Sequence, residues 1–257
     1  MTNRLFASAG LAALLTAGAA MAQERPDLSG TWDNGGGIGF LNPQNLEGQS
    51  ICVTGCPQPA AAASGGGGAR PAPSLPVYKA EYQERVADLT ERQVDEDPVL
   101  RCLPPGLPRL GPPDKIVQAE DEFVFLYEDV SGPFFRMVPL NAEHREDIDP
   151  SYHGDSIGWW EGDTLMVETV SMTDDTWLTD NGAFHTENLR VVEELSLTDD
   201  GALQWVATAY DPEVLEQPWR LNPRVSPHAD WEIVESPPCI DRSLDHMVDD
   251  SYHANPR

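Results

Sequence analysis

Hydrophobic and polar residues alternate along the chain from residue 123 onward, with the two-residue period of a β-strand. These segments are rich in β-branched and aromatic residues, and turn-forming clusters such as Ser131–Pro133 and Thr198–Gly201 separate them. Because no helical segments alternate with them, the pattern predicts an antiparallel meander. The predicted strands are Phe123–Tyr127, Phe134–Leu140, Ile157–Trp160, Thr164–Val170, Leu189–Leu197, Ala202–Tyr210 and Trp231–Val234.

The segment from Ser151 to Thr169 is rich in side chains that can take part in catalysis or binding. It holds a histidine, four carboxylates, a tyrosine and two adjacent tryptophans. Its second half predicts a β-hairpin with a tight turn at Glu161–Asp163. Gly162 supplies the positive φ that such a turn requires.

Side chains two residues apart share one face of a strand, and this parity places polar side chains among hydrophobic ones. Arg136 and Glu193 each fall on the hydrophobic face of their strands, and Tyr127 falls with the neighbouring phenylalanines. A charge on such a face is costly unless it is paired. The sequence therefore predicts either an internal pair between Arg136 and a carboxylate, or a ligand site at these residues.

One amphipathic helix is predicted over Val77–Val94, where Tyr78, Tyr82, Val86 and Leu89 form a hydrophobic stripe. The expected fold class is therefore all-β, an antiparallel lipocalin-like (calycin-like) β-barrel with this one α-helix outside it. Residues 23–257 are expected to form a single domain, with a low-complexity loop at residues 60–73.

The first 22 residues have the pattern of a secretory signal peptide. Arg4 precedes a short apolar run, and Ala20–Ala22 is a small-residue cleavage signal. No later run reaches the roughly 18 apolar residues of a membrane-spanning helix. We therefore expect an exported, periplasmic protein.

The chain carries a formal net charge of −27. Such an acidic excess argues against nucleic acid and anionic membrane surfaces as partners. A small molecule is the expected partner, and no nucleotide-binding fingerprint indicates a cofactor.

Four cysteines in an exported chain indicate two disulfides, for which three connectivities exist. Cys52 and Cys56 are close enough for a local ring, which leaves a long-range bond between Cys102 and Cys239. A zinc site is the alternative.

Gly158–Thr169 reads G-W-W-E-G-D-T-L-M-V-E-T. Together with Arg101–Arg109, Lys115–Gln118 and residues 177–187, it resembles a family of exported bacterial proteins with the signature G-x-W-E-G-D-T-L-x-V-[DE]-T. The resemblance covers about residues 98–240. Two positions depart from the family pattern: Asp155 stands where relatives often have His, and Glu194 where Arg is common.

The resemblance implies a lyase, because some sphingomonad relatives are associated with cofactor-free loss of formaldehyde from phenylcoumarans, which are lignin-derived aromatic dimers. Such a reaction needs a base near an alcohol and a cation near the leaving phenolate. His185, oriented by Glu187, is the expected base, and Arg136 with Tyr127 is the expected phenolate stabiliser. Glu193 is a further acid–base candidate. The expected substrate-binding residues are His144, His153, Asp155, Trp159, Trp160 and Trp177.

Three alternatives remain open at the level of sequence. A lipocalin-like carrier would need the same apolar pocket without acid–base groups. A serine hydrolase would use Ser156, since Gly154–Gly158 matches the G-x-S-x-G nucleophile elbow, although no βαβ unit surrounds it. An envelope protein that binds a partner would expose an apolar patch. A metal site from His144, His153, His185 and Glu187 lacks a spacing motif, so we expect neither metal nor cofactor.

Overall fold

The computed structural model describes residues 25–34, 75–129, 131–234 and 239. The predicted signal peptide, the predicted Cys52–Cys56 disulfide and the low-complexity loop at residues 60–73 lie outside these residues. In the described part of the chain, no helix is long and apolar enough to cross a membrane.

The described residues form two antiparallel sheets, as the alternating pattern predicts. The first sheet has the order β1-β2-β3-β4, and the second has the order β10-β8-β7-β6-β5, with β9 paired to β8. The strands are β1 (Gly30–Thr31), β2 (Lys115–Gln118), β3 (Glu122–Asp129), β4 (Gly132–Pro139), β5 (Asp155–Glu161), β6 (Thr164–Val170), β7 (Arg190–Leu197), β8 (Leu203–Tyr210), β9 (Trp219–Arg220) and β10 (Arg224–Ser226).

The two sheets meet through isolated bridges, and no closed barrel is found among the described residues. Leu140 bridges Gly158 in parallel, and Trp32 bridges His228 in antiparallel fashion. Asn141, directly after the Leu140–Gly158 bridge, has a φ of 53°, and its backbone N–H donates to the carbonyl oxygen of Gly158 at 2.7 Å. The all-β antiparallel class is therefore confirmed, whereas the lipocalin-like closure is not.

The core lies on the inward faces of both sheets, because every second side chain of β3, β6 and β7 is buried. Phe123, Phe125 and Tyr127 of β3 face inward, as do Val191 and Leu195 of β7. Strand parity in the sequence therefore predicts the buried faces correctly.

The helical segment is shorter and more broken than predicted. Instead of Val77–Val94, the structure has a 3-10 turn at Ala80–Tyr82, α1 at Gln83–Glu91 and α2 at Gln93–Glu96. The chain before Ala80 is extended, because Lys79 donates its backbone N–H to Val214 and Tyr78 bridges Leu215. Side chains of α1 and the turn still pack against the core, among them Tyr82, Val86 and Leu89.

Two strand predictions also differ from the structure. Trp231–Val234 is not a strand, and its backbone is tied instead to the carboxylate of Glu128 through the N–H of Val234. The short strands β9 and β10 were not predicted, because two or three residues cannot display a period. The Cys102–Cys239 disulfide is confirmed, and it joins positions 137 residues apart.

The β5–β6 hairpin offers a test of its turn. Gly162 has a φ of +62°, and no described atom lies within 4 Å of the position that a Cβ would take. We expect Gly162→Ala to lower the free energy of unfolding by about 1 kcal/mol, because only the left-handed backbone is unfavourable. Gly162→Asn should cost less, since Asn tolerates this conformation. Equal losses in urea unfolding for Ala and Asn would contradict the turn geometry.

Candidate functional site

A buried polar cluster lies at the centre of the core, on the inward faces of β3, β4 and β7. Arg136 Nη2 lies 2.6 Å from Glu193 Oε2, and their side chains are 2% and 0% exposed. Arg136 Nη1 donates to the Tyr127 hydroxyl oxygen at 2.9 Å. The predicted internal pair between Arg136 and a carboxylate is thus confirmed, with Glu193 as the partner.

Strands β5, β6 and β8 complete this cluster. Arg136 Nη2 also donates to Ser156 Oγ at 3.1 Å and to Thr169 Oγ1 at 2.9 Å. The indole N–H of Trp205 donates to Glu193 Oε1 at 2.9 Å, so both carboxylate oxygens are satisfied. One polar group of the cluster remains open, because the buried Nε of Arg136 has no hydrogen-bond partner among the described residues.

The cluster holds its charges and protons in a fixed state. Burial by itself would lower the pKa of Arg136, but the Glu193 carboxylate and the Tyr127 oxygen outweigh it, so this pKa is raised and the guanidinium stays charged. Burial raises the pKa of Tyr127, although Arg136 opposes that shift. Tyr127 therefore stays protonated. Since Arg136 donates to the Tyr127 oxygen, the hydroxyl hydrogen of Tyr127 is left for another acceptor.

His153 stands beside this cluster, in the turn that precedes β5. Its ring packs against Phe134 at 5.1 Å between centroids, and Phe134 lies on the same face of β4 as Arg136. The carbonyl of Pro105 accepts a hydrogen bond from the ring, and the buried Nε2 has no partner in the described part of the chain. Nδ1 is therefore the donor, which leaves the lone pair of the neutral ring on Nε2.

The charge state of His153 follows from its surroundings. Its pKa is lowered to about 4, first by burial and then by the positive charge of Arg136, against the opposing hydrogen bond to Pro105. The ring is therefore neutral near pH 7. A neutral imidazole with an open Nε2, near a guanidinium with an open Nε, is an arrangement suited to moving a proton beside a fixed positive charge.

A cleft of about 480 Å³ lies beside this region, and its lining comes mainly from β4 and the start of β5. Arg136 and Ser156 both belong to its lining, together with Gly154 and Asp155 at the start of β5. Arg136 and Ser156 are the members of the cluster that border this cleft, and both are nearly fully buried.

His185, the base expected from the sequence, lies in a different environment. Its Nε2 is 2.7 Å from Thr176 Oγ1, and its Nδ1 is 2.9 Å from the carbonyl oxygen of Thr186. Burial lowers its pKa, against the opposing effects of that carbonyl and of Asp211. Both ring nitrogens are therefore occupied within the protein.

Glu187 does not orient His185. It is exposed and lines a separate cleft, whereas His185 is 2% exposed and bonded to threonines. The expected His185–Glu187 arrangement fails because the segment between β6 and β7 forms turns and is not extended.

The remaining predicted site residues are divided between the outer surface and the core. His144 Nδ1 lies 2.9 Å from Asp155 Oδ2, and Arg145 also binds Asp155, on the outer side of β5. Trp159 faces outward too, and its indole N–H donates to Glu161. Trp160 packs inward against Phe123 at 6.0 Å, and Trp177 is buried in the core.

The serine-hydrolase and metal hypotheses find little geometric support. Ser156 lies within β5, where its hydroxyl is bonded to Arg136 and Thr169, and not at a strand-to-helix turn. Among the described residues, no group of three or more His, Cys, Asp or Glu side chains is arranged to hold a metal ion.

Two members of the site were missed as functional residues. Thr169 shares the inward face of β6 with Leu165 and Val167, and parity could have placed it beside Arg136. Pro105, which fixes the tautomer of His153, lies far from it in the chain, and no sequence pattern indicates that contact.

No protein family matches the chain, and no curated protein and no solved structure is significantly similar to it.

Proposed function

We propose that this protein is a cofactor-independent acid–base lyase that acts on a small aromatic molecule at the Arg136 cluster. One observation carries the proposal: the buried Nε2 of His153 and the buried Nε of Arg136 both lack a partner among the described residues, and the charge of Arg136 acts on the His153 ring. A buried polar atom without a partner costs free energy, and a bound substrate would supply the missing hydrogen bonds.

The reaction that fits these groups is the loss of formaldehyde from a phenylcoumaran-type dimer. A base removes the proton of the primary alcohol, and the bond between the alcohol carbon and its neighbour breaks as formaldehyde forms. The released electron pair forms a new C=C bond, and the ring ether opens as a phenolate that takes up the proton. No electrons leave or enter, so no redox cofactor is needed.

In this proposal, His153 replaces His185 as the base. Its lone pair is free at neutral pH, whereas both nitrogens of His185 are occupied. Arg136 stabilises the phenolate, because it offers a permanent charge and an open donor. Tyr127 donates its remaining hydrogen to the same oxygen, and Glu193 holds Arg136 in place.

We further propose that the two sheets enclose the substrate as a lipocalin-like barrel does, in an exported periplasmic protein. The bridges Leu140–Gly158 and Trp32–His228, one at each junction of the sheets, support this enclosure. The Cys102–Cys239 disulfide supports export, since such bonds persist in oxidising compartments.

Tyr127→Phe tests the proposal, because it removes one donor and keeps the packed ring. We expect turnover of a phenylcoumaran dimer to fall about 10²-fold, as for the loss of one transition-state donor. Formaldehyde and the ring-opened phenol, measured in equal amounts, report the reaction. Tyr82→Phe is the matched control, since Tyr82 packs on the core from the helical side, away from the cluster. If the wild type releases no formaldehyde from a panel of such dimers, the proposal is wrong.

A further inference from the structure

A second, larger cleft opens where β6, β7 and β8 meet the loop after β8. Its volume is about 840 Å³, which is in the range of small-molecule sites. None of its lining residues belongs to the Arg136 cluster. Its polar and aromatic lining includes Lys79, Glu187, Asn188, Arg190, Tyr210 and Glu216.

Arg190 and Tyr210 form a stacked pair in the wall of this cleft. The guanidinium carbon of Arg190 lies 4.0 Å from the centre of the Tyr210 ring, and 40% of the Arg190 side chain remains exposed. Glu168 accepts a hydrogen bond from Arg190 Nη1 at 2.7 Å and fixes the plane. A planar cation held in this way is a surface on which an aromatic ring can stack.

The polar groups around this pair are mainly acceptors. The Lys79 ammonium is engaged by the carbonyl oxygens of Pro212 and Glu213, at 2.6 and 3.0 Å. By contrast, the carboxylates of Glu187 and Glu216 have no partner within the described part of the chain. The cleft therefore offers two free carboxylates, while the charge of Lys79 is balanced by two carbonyl oxygens and that of Arg190 by Glu168.

Asn188 adds a further hydrogen-bond acceptor to the cleft. Its amide N–H donates to Glu213 Oε2 at 2.8 Å, which leaves its side-chain oxygen available. An anionic ligand would meet unpaired carboxylates, in a protein whose net charge is already −27.

We infer that this cleft is a binding site for planar aromatic molecules that carry hydroxyl or amino donors and no negative charge. The ring stacks on the Arg190–Tyr210 pair, and the donors reach Glu187 and Glu216. The site discriminates against aryl carboxylates. This inference stands independently of the lyase proposal, because the two sites share no residue.

Two matched probes, 3,4-dihydroxybenzyl alcohol and 3,4-dihydroxybenzoate, test this inference. They differ in one substituent, which is uncharged in the alcohol and anionic in the benzoate. Titration calorimetry on the full chain should give a dissociation constant at least 10-fold lower for the alcohol. Tyr210→Leu should weaken binding of the alcohol about 10-fold, because the stacking surface is lost.

The double variant E187Q/E216Q should remove most of the preference for the alcohol. The matched control is E84Q/E91Q, which changes the net charge equally on exposed positions of α1 and should preserve the preference. Equal effects of the two double variants would mean that overall charge decides, and would overturn the inference.

The Tyr127→Phe variant separates this site from the first one. We expect it to bind the alcohol as the wild type does. If Tyr127→Phe abolishes binding and Tyr210→Leu does not, the probe occupies the Arg136 cluster, and the inference about this cleft is wrong while the lyase proposal stands.

Discussion

Replacement of Arg136 by Met should lower the free energy of unfolding by about 3–5 kcal/mol, the cost of breaking a buried ion pair from one side. The variant leaves the Glu193 carboxylate fully buried, with the indole N–H of Trp205 as its remaining partner. It also removes the donor that Tyr127, Ser156 and Thr169 share. The loss should appear as a lower midpoint of guanidinium unfolding.

The double variant R136M/E193Q should be more stable than R136M alone. The amide that E193Q introduces carries no charge, and its carbonyl oxygen can still accept from Trp205. Because desolvating two charges costs several kcal/mol per ion, removing both is far less costly than removing one. A double-mutant cycle with E193Q as the fourth corner measures this coupling, which we expect to exceed about 2 kcal/mol.

The neighbouring residue supplies a matched control. Glu194 forms an ion pair with Arg220 on the outer face of the same strand, where the Arg220 side chain is 54% exposed. Such exposed pairs contribute at most about 1 kcal/mol, so R220M should cost little. If R136M and R220M cost the same, the Arg136–Glu193 pair is not held in a dry core.

The centre of this site could be predicted because strand parity is strict. A two-residue period admits only two faces, so the position of Arg136 beside phenylalanines and of Glu193 beside leucines placed both side chains in the core. A buried arginine then requires an acceptor. The sequence could not say which carboxylate it would be, because strand order depends on contacts between distant segments.

The features that the sequence did not specify lie where no period operates. His185 sits between strands, and its partners Thr176 and Thr186 are set by turns that the sequence does not specify. Tyr78 fits a helical stripe, yet pairing with Leu215 holds its backbone extended. Closure of the sheets likewise depends on distant edges such as Leu140 and Gly158. In each case a tertiary contact overrides the local preference.

The identity of the base is the second prediction with a large expected effect. His153→Asn should lower turnover of the phenylcoumaran dimer by about 10²–10⁴-fold, the usual contribution of a positioned base. The Asn amide takes the place of Nδ1 and can still donate to Pro105, but it offers no basic lone pair at Nε2. His185→Asn decides between the two candidate bases, and we expect it to retain turnover when rates are compared per folded molecule.

His153 should also affect the free energy of unfolding at acidic pH, and this effect does not depend on any substrate. Its folded pKa of about 4 lies below the ordinary value of 6.5, so the unfolded chain takes up the proton first. The stability that depends on neutral His153 is present above pH 6.5 and is lost as the pH falls towards 4. At 1.36 kcal/mol per pKa unit, the wild type should lose about 3 kcal/mol more than His153→Asn over this interval.

These two measurements separate a base from a packing residue. Burial alone would give the acid-dependent difference in urea unfolding between pH 7 and pH 4, whatever the reaction. Proton transfer would in addition lower turnover at pH 7, where the variant remains folded. If His153→Asn shows the stability difference and keeps full turnover, His153 is a buried structural histidine. Arg136 and Tyr127 would then have to work with a different base, and the carboxylate of Glu193, 2.6 Å from Arg136, is the next to test.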